Sequence, residues 1–303
     1  MSRKIAVRTL VLLCILIVIV LGVVGWIGSE RALRPHYYTY RWSLATYSDL
    51  HPEAVKIHSR TGVTLTGRFF PSSGPATVLL ASGYGDTQDQ MLPFAEFLHR
   101  DGYNVLTYNM RSRGTSEGEY VTLGLLEQAD MISVLDYLAK RADVDPRRMG
   151  ALGVSMGGAI AILAAAKDTR IKAVVDDCGF SDAPGVIAAS FEHFIHLPAF
   201  PFAPVTVWIA DMRAGIDVNT VRPMDVIGEI SPRPVLIIHG LDDTVVPVEN
   251  SQRNFAHARE PKELWLVPGA RHGNAHTIAK AAYEARVLRF FQKSLNPQAS
   301  SAL

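Results

Sequence analysis

The sequence predicts an α/β fold, a mostly parallel, doubly wound sheet carrying an inserted cap and preceded by one transmembrane helix. Three observations carry that expectation. Apolar runs of strand length alternate with helix-length periodic stretches through most of the chain, the pattern of successive βαβ units. Several of the runs, such as VLII before His239, are apolar throughout, as a parallel strand covered on both faces requires. Near the start, Thr9–Ile27 (TLVLLCILIVIVLGVVGWI) carries no charge. Of 303 residues, roughly 270 remain after such a segment, enough for one large α/β domain with a proper core.

Nineteen helical residues at ~1.5 Å each come close to spanning a bilayer's hydrocarbon core, so 9–27 is expected to cross a membrane. A cleaved signal peptide, which would release the rest as a secreted protein, needs a shorter apolar region and small residues before the cleavage site. The exit GWIGSERALRP has no such pattern, and an uncleaved anchor is the preferred reading, with Trp26 at the interface. Arg3, Lys4 and Arg8 precede the helix and Glu30, Arg31 and Arg34 follow it. The positive-inside tendency then places the N-terminus in the cytoplasm and the bulk of the chain outside it, although Arg41 narrows the difference. The expected organisation is a stub and anchor at 1–29, a Tyr- and Arg-rich juxtamembrane linker at 30–50, a folded domain at 51–297 and a tail at 298–303.

In chain order, Ala54–His58 and Val63–Phe70, joined by SRTG, read as an antiparallel start to the sheet. Strands follow at Thr77–Ala81, Val105–Tyr108, Met149–Val154, Ala173–Asp176, Val235–His239 and Leu264–Val267. Helices are expected at Gln88–Arg100, Leu123–Arg141, Met156–Ala166, Glu249–Arg259 and Ile278–Leu295. One stretch breaks the alternation. Residues 183–230 hold five prolines and many aromatics, among them Phe191, Phe194, Phe200, Phe202 and Trp208, where one crossover helix would suffice. This reads as a cap inserted over the C-terminal edge of the sheet, where open α/β folds bind ligands.

Thirty basic residues against twenty-nine acidic ones leave a net charge of +1, which excludes electrostatically driven nucleic-acid binding as the default. Cys14 lies in the anchor and Cys178 far from it, so no intrachain disulfide is expected, and Cys178 reads as a small buried residue. No phosphate-binding or dinucleotide glycine loop is present, and Glu192, His193 and His196 lack a metal-ligand order. No cofactor and no metal are implied.

The strongest local signal is MGALGVSMGGAIAI, an apolar strand ending in Gly153-Val154-Ser155-Met156-Gly157 where a helix begins at once. This is the form of a nucleophile elbow. A serine hydroxyl is a poor nucleophile at neutral pH and needs a base, which needs a carboxylate to orient it. VLIIHGLDDTVVP supplies Asp242 and Asp243 after one strand, and LWLVPGARHGNAH supplies His272 after the next. Asp176, Asp177 and Asp182 after the preceding strand are further candidate acids. His276, one helical turn beyond His272, reads as a surface or cap residue, and Glu127 and Asp130 as a solvated or capping helix face.

With GVSMGG, HGLDDTVVP and PGARHG in this order, the sequence resembles the α/β-hydrolase serine hydrolases over most of residues 54–295, near their dienelactone-hydrolase-like and serine-aminopeptidase-like members. The resemblance implies Ser155 as nucleophile, Asp243 rather than Asp242 as the acid, and His272 as the base. It implies backbone N–H donors for an oxyanion at Met156 and at Tyr84, in SGYGDTQDQM. Relatives carry His-Gly where this chain has Ser82-Gly83. The segment NMRSRGTSEG, with Arg111, Arg113, Gly114 and Ser116, also resembles a family loop shaped near the site. The implied activity is cleavage of a carboxylic ester or thioester; the aromatic, proline-rich cap and the anchor, by their composition, point to an apolar or lipid-like acyl substrate. A peptidase, an acyltransferase and a non-catalytic scaffold are the competing readings.

Overall fold

The computed structural model describes residues 3–36, 42–47 and 49–296. Residues 37–41 and 48 of the expected linker, Arg41 among them, and the tail 298–303 lie outside the described residues. Eight strands form one sheet: β1 (Glu53–His58), β2 (Thr64–Phe70), β3 (Thr77–Ala81), β4 (Asn104–Tyr108), β5 (Met149–Val154), β6 (Ile171–Asp177), β7 (Val235–Gly240) and β8 (Lys262–Val267). Their spatial order is β1-β2-β4-β3-β5-β6-β7-β8. The hairpin β1–β2 and the β2–β4 pair are antiparallel, and every later pairing is parallel. The mostly parallel sheet that the alternating pattern predicts is present, led in by the predicted antiparallel pair.

The helices are α1 (Arg3–Leu33), α2 (Leu92–Arg100), α3 (Glu127–Leu138), α4 (Met156–Lys167), α5 (Ala183–Ser190), α6 (Ala199–Ala214), α7 (Pro223–Val226), α8 (Glu249–His257), α9 (Ala275–Ile278) and α10 (Lys280–Leu295). The two-residue period of each strand divides the core between the sheet's faces. Val78 and Leu80 of β3 join the cluster under α2 and α10, whereas Leu79 and Ala81 join the cluster under α3 and α4. β5 is buried along its whole length, which accounts for its unbroken apolar run.

Boundaries differ from the sequence expectation where a local hydrogen bond wins. The helix expected from Leu123 begins only at Glu127. The Glu127 carboxylate there accepts the N–H groups of Thr122 (2.7 Å) and Gly124 (2.9 Å), holding those residues in a turn. Both Glu127 and Asp130 are fully buried, so a solvated face is ruled out for them. Asp130 accepts from Arg111 Nε at 2.7 Å and from Thr61 Oγ1 at 2.7 Å, and Ser59 Oγ also donates to it. This ties the β1–β2 turn to α3 and to the loop after β4.

Between β6 and β7, residues 183–230 form α5, a π turn (Phe191–Ile195), α6 and α7, with a bend of 119° between the α5 arm and α6. This segment packs on α1. Residues 3–20 of α1 are exposed, while Gly25, Ser29 and Leu33 are buried at a spacing that makes one helix face. Helix α1 runs through Leu33, so residues 30–33 are its last turn rather than the start of a linker. Contacts with the domain hold that turn: Arg213 donates to Ser29 Oγ at 2.7 Å, pairs with Glu30 and stacks 4.3 Å from the Trp26 ring centre. Val121 N–H donates to Leu33 O at 2.8 Å.

The buried Arg111–Asp130 pair makes one stability test direct. Arg111→Ala leaves a buried carboxylate without its cation and is expected to cost about 3 kcal/mol or more. A thermal midpoint in detergent within a degree or so of wild type would contradict this.

Candidate active site

β5 ends at Val154 and α4 begins at Met156, leaving Ser155 alone between them at φ 56° and ψ −120°. The turn is that tight because the backbones on either side nearly touch. A Cβ on Gly153 would lie 2.1 Å from the Gly157 carbonyl carbon, and one on Gly157 would lie 2.2 Å from Ala81 O. Only glycine fits at either place, and the serine between them takes up the strain. Its N–H donates to Asp177 O at 2.7 Å, which fixes the turn to the next strand.

His272, in the loop after β8, meets Ser155 Oγ through Nε2 at 2.9 Å and Asp243 Oδ2 through Nδ1 at 2.7 Å. The two loops approach closely because a Cβ on Gly240, at the end of β7, would lie 2.3 Å from Ala270 O. Asp243 Oδ1 accepts from the N–H groups of Val245 and Val246, both at 2.9 Å. Burial opposes ionisation of Asp243. The hydrogen bonds from His239, His272 and Val246 outweigh it and hold the carboxyl well below the usual carboxylate range. Among the candidate acids, Asp243 is the one that His272 contacts; Asp242 is exposed, and Asp182 caps α5 through Gly185 N–H at 2.8 Å.

A second Ser–His–Asp set shares the same carboxylate. His239 lies 3.2 Å from Asp243 Oδ2 and 2.8 Å from Val246 O through Nε2, and Ser251 Oγ contacts its Nδ1. His239 and Ser251 are completely buried and neither lines the cavity described below, so this set braces Asp243 from behind. Residue types and the HG of HGLDDTVVP mark His239 in the sequence; the bracing by Ser251, on α8, has no local signal.

Ser155, His272, Tyr84 and Met156 line a cavity of about 680 Å³ whose walls are mostly apolar. Met156 N–H stands at the unpaired N-terminus of α4. Tyr84 follows β3, in a loop held by Gln90, which accepts the Gly83 N–H at 2.6 Å. Ser82 is buried with a hydroxyl that has no partner among the described residues, and the loop is held at Gly83 by Gln90. The Tyr84 hydroxyl donates to Arg31 O at 2.6 Å and to Ala32 O at 3.1 Å, so this loop is pinned to the end of α1. Arg113 of the NMRSRG loop donates to Pro35 O at 2.7 Å, and Ser116 Oγ to Asn109 O at 2.7 Å.

The sequence reading also missed two contributors to the cavity wall. His276 is buried in the cavity wall between Phe94, Phe97 and Tyr283, with Nε2 3.2 Å from Glu284. Its burial is a correction to the surface placement, and its spacing from His272 by one turn was the available signal. Gly28, Arg31, Ala32 and Pro35 of α1 and its exit form another wall, which an apolar run alone cannot announce. Cys178, Asp243 and His272 bring potential ligand atoms within 4.8 Å of one another. The Asp and His atoms are already bonded together, and burial pushes the Cys178 thiol well up.

The sequence model of the prolyl oligopeptidase family matches residues 94–298, from the start of α2 to beyond α10 and so including the elbow, Asp243 and His272. The chain belongs to that family. Uncharacterized protein Rv2307c of Mycobacterium tuberculosis is 27% identical over 296 residues, covering 95% of this chain and 96% of its own. Uncharacterized protein YfhR of Escherichia coli K12 is 29% identical over 255 residues, covering 81% and 82%. Among solved structures, the Pyrococcus furiosus esterase Pf2001 superposes with a TM-score of 0.72 at 25% identity, over 87% of this chain and 98% of its own. A puromycin-hydrolyzing peptidase of Mycobacterium tuberculosis, at 23% identity and a TM-score of 0.64 over 81% of this chain and 39% of its own, shares the fold. Fold and kinship together make this prolyl oligopeptidase-family chain a serine-hydrolase-type, esterase-like protein.

Two carboxylates behind the elbow give a pH test. Burial lifts Asp176 to about 7 against the opposing pull of His239 and of Gly179 N–H, and burial lifts Asp177 to about 6 against the hydrogen bond from Tyr283. A carboxyl raised on folding contributes stability that is full below its unfolded value and is lost as pH rises through the folded one. The thermal midpoint is therefore expected to fall as pH rises from about 4 to about 7, and Asp176→Asn to flatten that fall. Parallel slopes for variant and wild type would remove Asp176 as its source.

Proposed function

We propose that the chain is a membrane-anchored serine hydrolase that cleaves a carboxylic ester or thioester of an apolar or lipid-like acyl group. The observation that carries this reading is His272 bridging Ser155 Oγ (2.9 Å) and the depressed carboxyl of Asp243 (2.7 Å) in the wall of an apolar cavity. In this reading His272 Nε2 takes the Ser155 proton as Oγ attacks the acyl carbon, while Asp243 orients and stabilises the imidazolium. The N–H groups of Met156 and Tyr84 hold the oxyanion. The acyl–oxygen bond breaks, His272 returns the proton to the leaving alkoxide, and water activated by the same histidine then releases the acid. Residues 183–230 act as the cap. The narrower kinship with dienelactone-hydrolase-like and serine-aminopeptidase-like members belongs to the same reading.

Membership of the prolyl oligopeptidase family favours a peptide bond as the second reading. The same triad serves an amide, and an acyltransferase differs only in the acceptor. A fluorophosphonate probe is expected to label the detergent-extracted chain and to leave Ser155→Ala unlabelled; an unlabelled, folded wild type would refute the hydrolase. Asp243→Asn is expected to lower kcat about 10⁴-fold. Turnover of aminoacyl amides well above that of long-chain esters would move the assignment to a peptidase.

For location, we propose an uncleaved anchor with the N-terminus cytoplasmic and the hydrolase domain outside. The close packing of Gly25 on Val205 and Ile209 and the stacking of Arg213 on the Trp26 ring support retention, since cleavage after the apolar run would detach both from the domain. Mass spectrometry of the membrane fraction is expected to find the N-terminal peptide still attached. Recovery of a soluble chain lacking it would establish the secreted alternative.

A further inference from the structure

Helix α6 meets α1 inside the stretch that hydropathy assigns to the bilayer. The apolar run ends at Ile27, yet α1 already loses exposure on one face at Leu21, Val24 and Gly25. Leu21 lies six residues, ~9 Å, inside the end of that run. The approach is close: a Cβ on Gly25 would lie 2.8 Å from the side chains of Val205 and Ile209 on α6. Since nineteen residues only just span the hydrocarbon core, α1 cannot slide outward to lift α6 clear without exposing apolar residues to water.

The surface of α6 and of the turn before it suits that depth. Phe200 is 80% exposed, Trp208 61%, Met212 59% and Phe194 57%, on a protein whose other exposed large apolar side chains lie mostly on α1. The polar contacts of the α1–α6 pair gather at one level, where Arg213 reaches Trp26, Ser29 and Glu30, as a headgroup boundary requires. Phe194 belongs to the exposed apolar set and also lines the cavity of Ser155. Gly28 and Thr206, facing each other across the α1–α6 contact, line it too. The cavity and the bilayer-facing surface therefore share walls.

Resting on the serine-hydrolase reading, we propose that α6 and the π turn before it are seated in the leaflet that the domain faces, and that a lipid ester passes its acyl chain from that leaflet past Phe194 into the Ser155 cavity. The chain is cut where its ester carbonyl reaches Ser155 Oγ: the acyl–oxygen bond breaks, the alcohol leaves with the proton from His272, and water completes release of a fatty acid. The bilayer both covers the exposed aromatics and holds the substrate, so the acyl chain is not transferred through water.

The test uses the full chain in phosphatidylcholine vesicles. Fluorescence from Trp208, taken as the difference between wild type and Trp208→Phe, is expected to be quenched by phosphatidylcholine bearing a doxyl group high on its acyl chain and protected from aqueous iodide. Quenching by iodide alone would put α6 in water, and indifference to both would put it against protein, such as a second copy of the chain; either overturns the seating. The double variant Phe200→Asp/Trp208→Asp is expected to slow hydrolysis of a long-chain ester dissolved in the vesicle by about tenfold, because charge is expelled from the interface, and to keep wild-type turnover of a short water-soluble ester. Equal slowing on both esters would overturn the lateral route. A wild type that cleaved neither ester would sink the hydrolase reading and the route with it, while the quenching result would still decide the seating.

Discussion

The close approach of β5, α4 and the end of β3 at Gly153 and Gly157 is the constraint on which the site depends. With no room for a Cβ at either glycine, the chain can pass from strand to helix in one residue, and that residue must take a positive φ. The cost falls on Ser155, of order 1–3 kcal/mol for a non-glycine residue, and buried packing offsets it: α4 is buried from Met156 to Ala165. The result is a hydroxyl projecting above the carboxyl edge of the sheet, where the loops after β7 and β8 can reach it.

Charge is organised around the same turn. Asp243 is ionised in a buried place because two backbone N–H groups and two histidines meet its oxygens, each bond to a charged acceptor outweighing part of the desolvation. Asp176 and Asp177 lack comparable support and are pushed toward neutrality instead. Three carboxyls near one another thus divide by environment: two are raised by burial, and the one held well below the usual carboxylate range is the one His272 touches. The buried His239 and Ser251 extend this bracing into α8, so the orientation of Asp243 is set from both sides.

The strands and the elbow were legible because each rests on a local rule. Complete apolar runs follow from burial on both faces, and GVSMG follows from the two glycines the turn needs. His272 stood out because it follows a strand, whereas that position alone left Asp242 and Asp243 open, and only the resemblance to the α/β-hydrolases pointed to Asp243. What the sequence did not show was long-range. The delayed start of α3 depends on a carboxylate reaching back to Thr122, and the burial of Asp130 depends on Arg111 from a different loop. His276 looked like a surface residue because its cover, Phe94 and Phe97, comes from α2.

The largest gap between sequence and structure concerns α1. An apolar run read alone is a tether, and a tether joined by a linker would leave the domain free to turn relative to the membrane. Instead the last turns of α1 are an element of the domain: they carry the carbonyls that accept from Tyr84, the ring and carboxylate that hold Arg213, and part of the cavity wall. Tyr84 also stands in the loop assigned to the oxyanion. A displacement of α1 would therefore be felt in that loop through the Tyr84 hydroxyl, and the orientation of the domain relative to α1 is fixed by hydrogen bonds and packing rather than left to a linker. The end of α1 and the shape of the cavity are for this reason one structural property.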